Sequence, residues 1–357
     1  MNKKYQLDIN PIHFLNILFI SIVLYLHHKT YTNNYFILLS DYKINSILQK
    51  FAVGGFFFFS GYKLSMSNSK TPAKIFIMKR ILRIYVLYII ALGIASVTYY
   101  PYGNGGEYLS LKNLLIHTLC LQMIFSNVLG PTVLTVWFVS ALFCYYLYFL
   151  IFRNYINNTK KMIIISSISY LIITIIYLST LNKNIHIFTR DFPVYLMFFS
   201  SGMIFSANYK YRFNALWALI IYFLSSLILM FIYKYIYINT LYEHLIFSFF
   251  VLTGNIILYI SIYHKISKLN NIVTGSFIIE KYSYASFCIF LFHRSIWSIM
   301  ATIYPKGTFS QWIFIVLIGA PATIIICFFI QKTYDSLTKH AQQMVSRRLT
   351  QYLRNEN

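Results

Sequence analysis

The sequence predicts an all-α polytopic membrane protein: about ten transmembrane helices plus one re-entrant or interfacial segment, with N- and C-termini cytoplasmic. Three observations carry this. Hydrophobic residues make up 58% of the 357 and charged ones 11%, where a soluble domain has about 25% charged. Mean hydropathy is +0.62, and apolar runs of about 17–25 residues, each able to cross a ~30 Å hydrocarbon core as a helix, recur along the whole chain. Cations gather on alternate connections, as they do in cytoplasmic loops.

Taken in order, the spans read 11–28, 46–65, 84–102, 133–152, 162–181, 192–208, 213–234, 244–263, 283–303 and 310–330. Lys3 and Lys4 precede the first, and no small-residue cleavage site follows it, so no cleavable signal is expected. Segment 113–129 decides the topology. If it spanned, Arg153, Lys160 and Lys161 would lie outside and every later loop would invert. If it is re-entrant or interfacial, the inside loops (63–83, 153–161, 210–212, 265–281), with the two ends, hold 21 of the 30 basic residues, and Arg294 lies within a span. The 103–112 loop then lies outside. Asn127, Gly130 and Pro131 mark where the backbone leaves helical geometry, which at membrane depth requires protein or water around it. Residues 1–330 read as a single transmembrane domain. Residues 331–357 read as a basic cytoplasmic tail, either a surface helix on anionic lipid or a solvated positive-inside tail.

The net charge of +22 is what membrane orientation produces, so no nucleic-acid partner is expected. Cys120, Cys144, Cys288 and Cys327 lie in apolar segments without CxxC spacing, which reads as small buried hydrophobes rather than a metal site or disulfide. Most of the 33 Tyr and 33 Phe serve as interfacial belts and packing.

In a bilayer the informative residues are polar ones inside spans, because each is costly unless partnered or hydrated. The first span, HFLNILFISIVLYLHH, carries Asn16 near one end and His27 and His28 at the other. Eleven residues at ~1.5 Å each separate Asn16 from His27 by about 16 Å, three turns along one face. Glu243 and His244 open another span, and His117 sits in the re-entrant segment. His293 and Arg294 lie about ten residues into the span at 283–303. An arginine that deep faces an interior cavity or an acidic or carbonyl partner rather than lipid. Under this topology His27, His28, His117 and His244 fall towards one side of the membrane, where they would line a polar outer cavity. Arg80 and Arg83, three apart, would share a helix face at the cytoplasmic mouth of the third span. The guanidinium fork suits phosphate, and topology determinants are the other reading of the pair.

Five stretches in order, FLNILFISIVLYLH (14–27), FFFFSG (56–61), KRILRIY (79–85), TVWFVSALFCYYL (135–147) and KYSYASFCIFLFH (281–293), resemble the acyltransferase-3 family of bacterial integral membrane O-acyltransferases. The resemblance covers nearly the full length. One departure stands out: the family's first-span arginine aligns with Asn16, which can hydrogen-bond but cannot neutralise an anion.

The resemblance implies a multi-pass enzyme of the bacterial cytoplasmic (inner) membrane, surrounded by membrane lipids and with no permanently bound cofactor. Acyl-CoA, acetyl-CoA above all, would be the donor substrate. A hydroxyl of a cell-surface polysaccharide or its lipid-linked precursor would be the acceptor. His27 would deprotonate that hydroxyl or carry the acyl group, with His28 as the alternative histidine and Asn16 in the arginine position. Arg80 and Arg83 would hold CoA phosphates. Ser60, Trp137, Glu243, His244, Ser283, Tyr284, His293 and Arg294 are the expected cavity residues, while Gly61 reads as helix packing. Two further readings stay open: a polysaccharide or lipid-linked-sugar transporter or flippase, and an inactive family member.

Overall fold

The computed structural model describes residues 10–28, 42–68, 71–98, 111–125, 136–180, 187–235, 240–268, 277–305 and 307–355, and no strand occurs among them. The helices are α1 Asn10–His28, α2 Tyr42–Asn68, α3 Ala73–Thr98, α4 Leu111–Thr118, α5 Trp137–Phe152, α6 Thr159–Thr180, α7 Phe192–Ala207, α8 Ala215–Tyr235, α9 Thr240–Lys268, α10 Phe277–Met300 and α11, continuous from 309 to 355. By length and composition six are fit to cross a membrane: Asn10–His28, Ala73–Thr98, Trp137–Tyr155, Thr159–Thr180, Phe249–Lys268 and Phe309–Val345. Helix α7, Phe192–Ala207, is apolar but shorter, and the 21-residue α8 is apolar over Ala215–Ile228. The helices α2 and α10 are long enough yet too polar for that group, because they carry Lys50, Lys63, His293 and Arg294 among their apolar residues.

The chain divides into two compact units, the first formed by Met1–Leu26, Phe36–Ser67 and Ile151–Ser283. Its core is aromatic. Phe19 of α1 sits edge-on to Phe51 of α2, centroids 5.5 Å apart, and to Tyr259 of α9 at 5.6 Å. The Tyr259 hydroxyl donates to the Phe51 carbonyl at 2.5 Å, which gives a buried phenol its partner. Helices α2 and α7 touch backbone to backbone. A Cβ on Gly61 would strike the Phe199 carbonyl oxygen, and one on Gly202 would strike that of Phe58. Small residues permit such close approach between helices where apolar burial supplies little drive in lipid. In the same unit, Lys50, only 1% exposed, pairs with Asp191 at 2.8 Å.

The second unit comprises His27–Tyr35, Asn68–Leu150 and Tyr284–Asn357. Within α3, residues Ile81–Tyr85 wind as a π-helix. The Val86 amide therefore reaches back to the Ile81 carbonyl, and the Leu82 carbonyl receives the Tyr334 hydroxyl of α11 instead. The short α4 has 8 residues, about 12 Å of helix, too little to cross a ~30 Å core. Turns follow it, with Cys120 at a φ of 55°. Ser140 of α5 donates to the Cys120 carbonyl at 2.5 Å. Gln122 donates to the Tyr88 hydroxyl at 3.1 Å, and Tyr88 of α3 donates to the His117 carbonyl. These bonds turn the segment back onto α3 and α5 through residue 125; Asn127, Gly130 and Pro131 lie outside the described residues. A second π-turn, Phe314–Gly319, interrupts α11, which then runs past residue 330 without a break.

Candidate active site

His27 lies in the last turn of α1, and α10 brings His293 to it: His27 Nδ1 and His293 Nε2 are 2.7 Å apart across a sequence separation of 266. His293 is fully buried, and Arg294 beside it is buried too. The His293 ring is walled by Trp297, edge-on at 5.6 Å between centroids, and by Phe290, itself 4.7 Å from Phe138 of α5. Trp297 is anchored in turn, its indole N–H donating to Thr323 Oγ1 at 3.0 Å, and that hydroxyl donating to the Gly319 carbonyl at 2.7 Å. Paired imidazoles in a walled pocket are suited to proton transfer or to a covalent relay. His27, not His28, makes this contact; His28 is buried on the neighbouring helix position.

Asn16 occupies a different polar cluster. His13 Nδ1 lies 2.7 Å from Ser283 Oγ, and Asn16 Nδ2 donates to the same oxygen at 3.4 Å. Ser21 and Tyr282 meet through their hydroxyls at 3.1 Å. Stretches 14–27 and 281–293 thus touch more than once. Sequence reading missed His13; its position one turn before Asn16 was the available signal.

The two arginines lie across a π-turn and differ in exposure. The π-turn rewinds the helix between the two residues, and i→i+5 winding displaces side chains from α-helical register. The Arg80 guanidinium stacks 5.1 Å from the Phe76 ring and 5.5 Å from that of Tyr146, while Arg83 is exposed. Both also sit two to three turns into α3 rather than ahead of it, because the helix begins at Ala73. Tyr284 donates to Asp335, whose other oxygen accepts from Gln331 Nε2 at 3.0 Å. Cys288 Sγ lies 3.1 Å from Gln331 Oε1. Sequence reading missed Asp335, although it is the lone acid between residues 281 and 355.

The remaining expected residues belong to other helices. Ser60 is half-buried on α2, in the first unit, and Trp137 is half-buried at the start of α5. Glu243 and His244 fall in the first turns of α9, with side chains outside the described residues. No group of three or more metal-ligating side chains occurs among the described residues.

No curated protein and no solved structure matches the chain. The family described as "Acyltransferase domain" matches residues 12–332, a range that holds every one of the five stretches above. With its several apolar helices, the chain is a multi-pass membrane protein and belongs to the acyltransferase-3 family.

Proposed function

We propose that the chain is a membrane O-acyltransferase that moves an acyl group, most simply acetyl, from acyl-CoA to a hydroxyl of a cell-surface polysaccharide or its lipid-linked precursor. The observation that carries this reading is the 2.7 Å contact between His27 and His293, which joins the histidines of the first and last family stretches. A sugar hydroxyl has a pKa far above 7 and needs a base that is unprotonated near neutrality, as histidine is. His27 takes the hydroxyl proton while the oxygen attacks the thioester carbonyl. The C–S bond breaks, and the departing CoA thiolate recovers the proton. An acyl-His27 intermediate would use the same residue in two half-reactions.

In this reading Arg83 reaches a CoA phosphate and Arg80 holds charge nearby, supported by the exposure of Arg83 and the stacking of Arg80 on two rings. Asn16 offers hydrogen bonds but no charge. Its bond to Ser283 supports a part in joining α1 to α10 rather than in binding an anion. A bacterial inner-membrane location with ten spans and both ends cytoplasmic puts Arg80 and Arg83 on the CoA side. It is supported by the 21 of 30 basic residues that this topology puts inside.

The test is thiol release from acetyl-CoA by purified protein in nanodiscs, with and without polysaccharide acceptor. Acceptor-dependent release that disappears in His27→Ala is expected. Acceptor crossing the bilayer with no thiol release would replace this reading with transport, and neither activity would leave an inactive member.

A further inference from the structure

The bonds around His293 determine which nitrogen of His27 reacts. His293 Nδ1 lies 2.9 Å from the Ile289 carbonyl oxygen and 3.1 Å from that of Phe290, both one turn back on α10. Carbonyl oxygens only accept, so Nδ1 carries a hydrogen. In the neutral ring, the form in which burial leaves no unpaired charge, Nε2 is then a lone pair. That lone pair faces His27 Nδ1 at 2.7 Å. The two rings are within 13° of parallel with centroids 4.9 Å apart. With nitrogens this close, near-parallel rings meet edge to edge, and the shared hydrogen lies in both ring planes. Two lone pairs do not face each other at that distance, so the hydrogen sits on His27 Nδ1. The lone pair of His27 is left on Nε2, which makes no hydrogen bond among the described residues.

We propose that His293 is a positioning residue: it holds His27 in the Nδ1–H tautomer and thereby makes Nε2 the reacting nitrogen. This rests on the reading of His27 as the reactive histidine. When Nε2 takes the acceptor's proton, His27 becomes an imidazolium, and its Nδ1–H bond to the His293 lone pair shares the charge. The alkoxide oxygen bonds to the thioester carbon, the C–S bond breaks, and the thiolate removes the proton from Nε2. His293 ends each cycle unchanged, its plane kept by Phe290 and Trp297 and by the Thr323 anchor behind Trp297.

The experiment compares His293→Leu, which removes the acceptor, with His293→Gln, whose amide oxygen can still accept from Nδ1–H. Each is assayed in nanodiscs for kcat and for KM towards acetyl-CoA. Nitrogen NMR of histidine-labelled protein, with His27 identified by its loss in His27→Ala, reads the tautomer. For His293→Leu the expected result is a kcat fall of at least about 10-fold, the range for lost orienting partners of a functional histidine, and up to ~10⁴ as for a catalytic histidine set in the wrong tautomer. KM should stay constant, and His27 should move towards the Nε2–H form. His293→Gln should recover both kcat and tautomer. A folded His293→Leu protein with the His27 tautomer unchanged would overturn the proposal, as would equal losses in Leu and Gln variants. If His27→Ala is dead while His293→Leu turns over normally, only the role of His293 falls. If His27→Ala itself stays active, the parent reading falls, and this proposal with it.

Discussion

FFFFSG at 56–61 and YASFCIFLFH at 284–293 look alike as strings, aromatic and apolar with a few small residues. In the fold they differ. In the first, Phe57, Phe58 and Phe59 are buried and Gly61 brings α2 onto the α7 backbone. In the second, His293 is tied to His27 and Tyr284 to Asp335, and Ser286 and His293 are buried polar side chains. One stretch supplies shape, and to the other the proposed function assigns chemistry. Damage to the first should therefore appear in stability, and damage to the second in turnover.

The largest effect expected is at the chemical end. His27→Ala should lower acceptor-dependent thiol release by ~10²–10⁴, the usual cost of a lost general base, in protein that elutes and melts like wild type. His28→Ala should be much milder, because consecutive helix residues point about 100° apart. Activity that survives His27→Ala but not His28→Ala would shift the register of α1 and break the contrast.

Next comes the buried ion pair of the first unit. Asp191→Asn leaves Lys50, at 1% exposure, without its carboxylate, and removing one partner of a buried pair costs about 3–5 kcal/mol. Lys50→Met should cost less, because the remaining Asp191 is 28% exposed and partly hydrated. Thermal unfolding in one detergent measures both. Equal losses would show that burial does not set the cost here.

Gly61→Leu should come below that, at about 1–3 kcal/mol for overpacking, with more where the backbone crossing cannot move. The folded fraction should keep the wild-type KM for acetyl-CoA. A raised KM would make the first stretch part of the donor site and erase the distinction.

The smallest is Arg83→Ala. A charge-assisted bond to phosphate contributes about 1.5–3 kcal/mol, so KM for acetyl-CoA should rise about tenfold with the melting temperature unchanged. Arg80→Ala should instead lower stability, since Arg80 packs on Phe76 and Tyr146. Identical effects from the two would erase the difference between the stacked and the exposed arginine.

Helices were legible because hydropathy is local: a window of about 20 residues shows whether it suits lipid, whatever packs beside it. The same logic fails where polar residues enter, which is why α2 and α10, the helices with Lys50 and His293, read less clearly than α6. His27 and Ser283 were legible as parts of family stretches. His13 and Asp335 were not, because a single polar residue takes its meaning from a partner far along the chain, 270 positions away for His13 and 51 for Asp335.

Sequence by itself determined the class of this protein, the family it belongs to and the position of its first-span histidine. Only tertiary structure decided that His27 rather than His28 meets His293, that a π-turn winds α3 beside Arg80, and that Gly61 packs against the Phe199 backbone in particular. The reason is physical. Hydrophobic transfer free energy adds up along the chain and needs no partner, whereas a hydrogen bond or a backbone crossing requires two groups at a set distance and angle, and only the folded chain supplies the second.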